Sequence, residues 1–164
     1  GYIAGPNGEL EWLEGFPNPD QADYGYTDFY ASIGTVVMGR KTYTEILGFD
    51  VDWPYAENDT VVISRNSGLE MPTVNTRLVY QNILESMAEL KKADGKDIWL
   101  VGGGELISEF LRQDLIDEMI ISMVPLVLGE GIPLFPGKLK KTEFELLGAE
   151  SFKSGIVNLH YKRK

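Results

Sequence analysis

Apolar residues in this chain fall into short runs separated by polar punctuation. Thr35-Val36-Val37-Met38 is a β-branched run of the kind found in a buried strand. Thr60-Val61-Val62-Ile63-Ser64 is a second and Arg77-Leu78-Val79-Tyr80 a weaker third. Asp97-Ile98-Trp99-Leu100-Val101 and the segment Glu118 to Val124 complete the set. Between these runs the period lengthens. Lys41 to Leu47 predicts a short helix that Gly48 stops. Asn82 to Ala93 predicts a longer one, with Asn82 and Glu85 as a capping-box-like start and Gly95 as the stop. Ile83, Leu84, Met87 and Ala88 share its apolar face. Glu105 to Arg112 predicts a third helix, apolar along Leu106, Ile107, Phe110 and Leu111. Toward the end the pattern becomes strict alternation. Phe144 to Phe152 and Ile156 to Tyr161, around Lys153-Ser154-Gly155, read as an antiparallel hairpin. Strand–helix alternation closed by a hairpin predicts an α/β sheet with helices on both faces. In such sheets ligands bind beyond the carboxyl ends of the strands.

The 164 residues suit one domain spanning 1–164. Pro/Gly-rich zones lie at 5–20, 48–59 and 129–138, but none resembles a flexible linker. Acidic residues outnumber basic ones by 25 to 15, which argues against nucleic acid and anionic membranes as partners. One small basic pocket for a phosphate remains compatible with that balance. Cysteine is absent, so disulfides, Cys-ligated zinc, iron–sulfur clusters and thiol nucleophiles are excluded, in keeping with a cytoplasmic protein. The single histidine, His160, leaves no multi-His metal site within one chain, and no metal is expected. Its place in the C-terminal hairpin predicts a structural role. No apolar run is long enough to span a membrane, and the N-terminus lacks the features of a signal peptide.

Candidate chemistry sits at strand-to-helix junctions. In Val37-Met38-Gly39-Arg40-Lys41-Thr42-Tyr43 a strand ends at Gly39, and a helix opens with two cations and a hydroxyl. Cations oppose the helix dipole there unless an anion is bound, so the pattern points to phosphate. The plainer alternative is a solvated helix start. In Leu100-Val101-Gly102-Gly103-Gly104-Glu105 three glycines allow a ligand close to the backbone and leave N–H groups for a diphosphate. The alternative is a tight turn against a neighbouring strand. Glu105 suits the helix dipole but repels phosphate, so any contact there is through the backbone. At the end of the second strand, Ser64 and Arg65 could hold a 2′-phosphate, or Arg65 could be an ordinary surface arginine. Tyr24, Tyr26, Phe29 and Tyr30 could floor a pocket for a planar substrate, or belong to the core.

Gly39-Arg40-Lys41-Thr42-Tyr43, Ser64-Arg65 and Val101-Gly102-Gly103-Gly104, in this order and spacing, resemble the dihydrofolate reductase superfamily. The segment from Trp99 through Asp114-Leu-Ile-Asp-Glu to Pro125-Leu-Val-Leu-Gly-Glu-Gly-Ile-Pro-Leu-Phe135 is similar to the reductase domain of bacterial riboflavin-biosynthesis deaminase-reductases. Tyr2-Ile3-Ala4-Gly5-Pro6-Asn7-Gly8 to Trp12 looks like that group's N-terminal stretch, entered inside its first strand. The resemblance implies a three-layer fold with a mostly parallel central sheet and an antiparallel C-terminal hairpin. It implies an NADPH-dependent reductase that delivers hydride to a small heterocycle, akin to the phosphoribosylaminouracil reductase of riboflavin biosynthesis. A pterin is the alternative substrate, and a non-catalytic NADP-binding module the alternative of another class. An NADH enzyme is a third reading, against which Arg40 and Arg65 speak. Carried over by position, Gly39, Arg40, Lys41 and Thr42 would hold cofactor phosphates. Ser64 and Arg65 would hold the adenosine 2′-phosphate. Gly102, Gly103, Gly104 and the Glu105 backbone would lie under the diphosphate and nicotinamide. Ala4 and Gly5 would meet the carboxamide, while Trp12 and Phe29 would line the substrate cleft. Relatives also suggest a homodimer.

The sequence departs from folate reductases in two places. Their acid precedes the Met-Gly-Arg strand, and counting back from Gly39 reaches Asp23 without gaps or Asp28 with a shift. At about 100° per helical residue the two occupy different helix faces, so one at most faces a cleft. The arginine that clamps folate's carboxylate is matched here by Asn58, which cannot make a charged bidentate pair. The zinc-ligating cysteines of the deaminase half are absent.

Overall fold

The computed structural model describes residues 1–164. In chain order its elements are β1 (Tyr2–Ala4), α1 (Glu11–Glu14), α2 (Tyr26–Ser32), β2 (Ile33–Gly39), α3 (Arg40–Leu47), β3 (Asp59–Ile63) and β4 (Thr76–Val79). There follow α4 (Ile83–Lys92), β5 (Asp97–Gly102), α5 (Gly104–Arg112), β6 (Glu118–Met123), β7 (Ile132–Pro133), β8 (Phe144–Ser151) and β9 (Val157–Arg163). Two compact units emerge: Asp28–Ile107, and Gly1–Thr27 together with Ser108–Lys164.

Within Asp28–Ile107 the apolar runs form one parallel sheet in the order β4-β3-β2-β5. Parallel strands are covered on both faces, which is why these runs are continuous rather than alternating. On one face Val36, Met38 and Val62 are buried with Tyr43 and Tyr55, and Phe29, Tyr30, Trp53 and Trp99 pack around them. On the other, Val37 and Val61 are fully enclosed, and Ile63 and Val79 nearly so. The α/β class read from the sequence, with a parallel central sheet, flanking helices and an antiparallel C-terminal hairpin, is the one observed.

The start of α4 differs from expectation. Asn82 is left-handed (φ 49°) and its side chain caps nothing, so the capping box does not form. A capping side chain needs extended backbone to reach the first amides. The Asn82 carbonyl accepts from the Ser86 amide at 2.9 Å instead. The helix stops at Ala93, ahead of Gly95. Met87 is buried, whereas Leu84, assigned to the same face, is exposed.

In the other unit, β6, β9 and β8 form an antiparallel sheet with β9 central, so the expected hairpin gains a third strand. Gly155 (φ 89°) makes its turn, donating to the Phe152 carbonyl at 2.8 Å. Register and alternation place Met119, Ile121, Met123, Leu159, Tyr161 and Leu146 on one face. Glu118, Ser122, Asn158, His160 and Lys162 line the other. There His160 Nε2 lies 2.9 Å from Glu118 Oε2 across β6 and β9, which is the structural role expected of it. Its hydrogen bond is the main reason the Glu118 carboxyl sits below its ordinary pKa. The stretch expected to be the remainder of a first strand, Tyr2–Ala4, is a strand here and pairs antiparallel with β7. Neither β1, β7, α1 nor α2 shows a hydrophobic period, because each is too short to display one. No helix is long and apolar enough to cross a membrane.

Candidate active site

Parallel pairing fixes where the three junctions emerge. Gly39 is in register with Ile63, and Met38 with Gly102. The carboxyl ends of β2, β3 and β5 therefore share one sheet edge, and all three junctions leave from it. The two glycine junctions touch. A Cβ on Gly39 would stand 3.7 Å from the Gly102 carbonyl oxygen, and a Cβ on Gly103 would stand 3.6 Å from Thr42 Oγ1. Gly102 has φ 136°, a conformation that side-chain-bearing residues rarely adopt, and its peptide bond to Gly103 is cis. The Gly103 carbonyl accepts from the amides of Leu106 (2.9 Å) and Ile107 (3.0 Å), which starts α5 directly behind the turn. Gly104 is buried, and the Glu105 side chain is exposed in the first turn of α5.

Helix α3 opens with exposed Arg40 and Lys41 and half-buried Thr42. Its N-cap is Gly39, no side chain caps it, and no acidic residue lies in its first turn. Free amides, a positive helix end and two cations thus coincide. Tyr43, next along, is 1% exposed and anchors the helix to the sheet. Its ring meets Trp53 edge-on at 5.4 Å, and its hydroxyl lies 2.8 Å from Thr73 Oγ1, itself 2.8 Å from Thr76 Oγ1. Nothing in the sequence signals this bridge, because Thr73 is far along the chain. At the end of β3, buried Ser64 accepts from the Asn66 amide at 3.0 Å, forming a tight turn that leaves Arg65 exposed.

The carboxyl candidates lie on different surroundings. Asp23 is exposed and works as a helix cap: its two oxygens accept from the amides of Gly25 (3.0 Å) and Thr27 (3.1 Å). The Thr27 side chain, ahead of the amides of Gly25 and Thr27, leads the causes that hold its carboxyl below the usual range. Asp28, in the first turn of α2, is exposed as well. Phe29 packs edge-on against Trp99 at 5.1 Å within the sheet core. Tyr24 packs edge-on against Phe152 at 4.9 Å. Asn58 is buried and donates to the Ile33 carbonyl at 2.8 Å, a structural bond where folate reductases would clamp a carboxylate.

Ala4 is buried on β1, and a turn held by Glu9 follows it. The Gly5 amide donates to the Glu9 carbonyl (3.0 Å), and the Asn7 amide and side chain donate to the Glu9 carboxylate (2.8 and 2.7 Å). The Asn7 side chain is the main reason that carboxyl has a lowered pKa. Half-buried Trp12 donates its indole N–H to the Glu9 carbonyl at 3.1 Å.

Comparison with known proteins places this arrangement. The model of the RibD C-terminal domain matches residues 1–158. The uncharacterised protein YwjB of Bacillus subtilis is 36% identical over 163 residues, covering 99% of this chain and 91% of its own. The riboflavin biosynthesis protein RibD of Corynebacterium ammoniagenes is 28% identical over 151 residues, 87% of this chain but 44% of that longer protein. A crystal structure from Shewanella sp. PV-4, of a protein named for riboflavin biosynthesis, superposes with a TM-score of 0.87 at 36% identity, covering 100% of this chain and 93% of that one. With the parallel sheet, the paired glycine junctions and the antiparallel C-terminal strands, these matches show that the chain belongs to the RibD C-terminal domain family, a reductase-like family of the dihydrofolate reductase superfamily.

Proposed function

We propose that this protein is an NADPH-dependent reductase that reduces a C=N or C=O group of a small heterocycle of the phosphoribosylaminopyrimidine class. The observation that carries the reading is the contact between the two glycine junctions at the carboxyl edge of β2, β3 and β5. Side chains at Gly39 and Gly103 would fill the space beside Gly102 and Thr42, which suits a ligand that approaches backbone. The cofactor, when bound, supplies the hydride. The chain's own groups bind and orient. Arg40, Lys41 and Thr42 hold phosphate at the first turn of α3, with Gly39 giving close access. The amides of Gly102, Gly103, Gly104 and Glu105 face the diphosphate. Ser64 shapes the turn that presents Arg65 to the 2′-phosphate. Ala4 is assigned to the carboxamide, and Trp12 and Phe29 to the substrate side. Asp23 is committed to capping α2, which leaves Asp28 as the carboxyl proposed to orient the substrate or hold its proton. The structural bond of Asn58 removes the support for a folate-type substrate. Chain ends and middle are proposed to act as one domain, since the unit boundaries at Thr27/Asp28 and Ile107/Ser108 fall inside α2 and α5 rather than in linkers. A cysteine-free enzyme drawing on cellular NADPH belongs in the cytoplasm.

Calorimetric titration with NADPH and NADH tests the cofactor. Saturable NADPH binding with a clear preference over NADH is expected. In Arg65→Ala the NADPH affinity falls by about 1–3 kcal/mol, the worth of a charge-assisted hydrogen bond, and NADH affinity stays put. Equal losses for both would remove Arg65 from the 2′-phosphate. A non-catalytic NADP-binding module is the second reading, favoured by the exposure of both candidate acids. NADPH oxidation against a panel of aminopyrimidines and pterins separates the two. Turnover of any member excludes the module, and tight binding without turnover supports it.

A homodimer is also proposed. Met123 (50% exposed), Leu146 (54%) and Val127 (94%) leave apolar surface on and beside β6 and β8 that a second copy would cover. Light scattering on the purified protein is expected to give twice the chain mass. A monomer at micromolar concentration would discard that proposal.

A further inference from the structure

Four chain segments leave the carboxyl edge of the parallel sheet, and the proposed function uses three of them. The fourth is Tyr80-Gln81-Asn82, between β4 and α4. β4 lies at one side of the sheet beside β3, with Val79 in register with Ile63. The ladder runs one step past these strand ends. The Ser64 amide donates to the Val79 carbonyl at 3.1 Å, the slanted bond a parallel pair makes when Ser64 stands opposite Tyr80. Neighbouring strands are about 4.8 Å apart, so Tyr80 is the immediate neighbour of Ser64 and, one residue on, of the turn that carries exposed Arg65. Residues in register on parallel strands project to the same face, and Tyr80 therefore shares its face with Ser64. The other tyrosines of Asp28–Ile107 are engaged in the fold. Tyr30 donates its hydroxyl to the Pro54 carbonyl, Tyr43 meets Thr73, and Tyr55 packs edge-on against Trp53 and Trp99. Tyr80 instead stands 44% exposed, a flat aromatic surface beside a cation at the ligand-binding edge of the sheet.

We infer that Tyr80 is a base-binding residue: its ring is the platform on which the adenine of the cofactor lies while Arg65 holds the 2′-phosphate of the same nucleoside. The inference rests on the proposed assignment of Arg65 and extends it from the phosphate to the base. Every residue it uses belongs to the unit Asp28–Ile107. A tyrosine suits the task because its rigid ring offers a large contact area with only two side-chain angles to order. Stacking uses the ring and not the hydroxyl, so phenylalanine can replace it.

The test titrates NADPH, NADH and adenosine 2′,5′-bisphosphate calorimetrically into the wild type, Tyr80→Ala and Tyr80→Phe. Tyr80→Ala is expected to weaken all three by a common factor of about 5- to 150-fold, the worth of one base stacked on an aromatic ring. The preference for NADPH over NADH is therefore kept, whereas Arg65→Ala abolishes it. Tyr80→Phe binds within twofold of wild type. A structural tyrosine is separated from a stacking one by the wild-type spectrum with labelled tyrosines, in which Tyr80 is identified by its absence from Tyr80→Phe. The bisphosphate, which lacks a nicotinamide, is expected to move the Tyr80 ring signals upfield through the ring current of adenine. That measurement also decides should Tyr80→Ala not fold. Three results overturn the inference while leaving the cofactor assignment intact: a folded Tyr80→Ala that binds the ligands as wild type does, a Tyr80→Phe that loses as much as Tyr80→Ala, or Tyr80 ring signals unmoved by bound bisphosphate. A wild type that binds none of the three ligands overturns the cofactor assignment itself.

Discussion

Replacing Tyr43 with alanine is expected to cost about 3–5 kcal/mol of folding stability, the range for removing a large buried aromatic. The ring is 1% exposed and sits between the sheet and Trp53, so its removal opens a void that the strand residues Val36, Met38 and Val62 cannot close. Domains of this kind have only about 5–15 kcal/mol to lose. At about 2–4 °C per kcal/mol for a chain of this size, the melting temperature should drop by about 10 °C. Tyr43→Phe separates packing from polarity. It keeps the ring and removes the 2.8 Å contact with Thr73, whose hydroxyl retains Thr76 as partner. A loss near 1 kcal/mol is expected there, with NADPH affinity unchanged, because the first turn of α3 keeps its seat. If the alanine variant melts within a few degrees of wild type, Tyr43 does not anchor α3.

Gly103→Val is expected to weaken NADPH binding by about 10- to 100-fold while the protein stays folded, because small-to-large changes in filled space cost about 1–3 kcal/mol. The first added atom makes an ordinary contact with Thr42 Oγ1 at 3.6 Å, so the fold accepts it. The branch beyond it occupies the space beside the first turn of α3, where the proposed diphosphate would lie. Gly95 provides the control. A Cβ there meets nothing within 4 Å, and Gly95→Ala should leave both melting and cofactor affinity essentially as they are. Calorimetry and thermal melts on the three proteins read both effects. Unchanged NADPH affinity in Gly103→Val would remove the glycine junction from the cofactor site.

Arg65 and Gly103 stand out in the sequence because their signals are local. A cation after a strand and glycines between a strand and a helix are visible within a few residues, and the parallel strands that carry them are visible as Val-rich runs. Asp23 and Asp28 show the limit of that kind of reading. Both fit the count back from the Met38-Gly39-Arg40 strand end, but whether a carboxylate caps a helix or faces a ligand depends on where the helix begins. Asp23 meets the amides of Gly25 and Thr27, and that bond assigns it to the cap. Asn82 erred in the opposite direction. Its spacing to Glu85 is that of a capping box, but a left-handed backbone turns the side chain away.

The sequence by itself determined the parallel strands, the helices α3, α4 and α5, the C-terminal hairpin and the residue types at each junction. Hydrophobic period, β-branching and glycine placement act over a few residues and need no knowledge of distant partners. Only the tertiary structure decided that the Gly39 and Gly102 junctions touch, that Tyr43 is tied to Thr73, and that β1 pairs with β7 across a gap only glycine can occupy at position 131. Each of these is a contact between segments remote in the chain, where packing and the pairing of backbone groups, rather than local propensity, set the outcome.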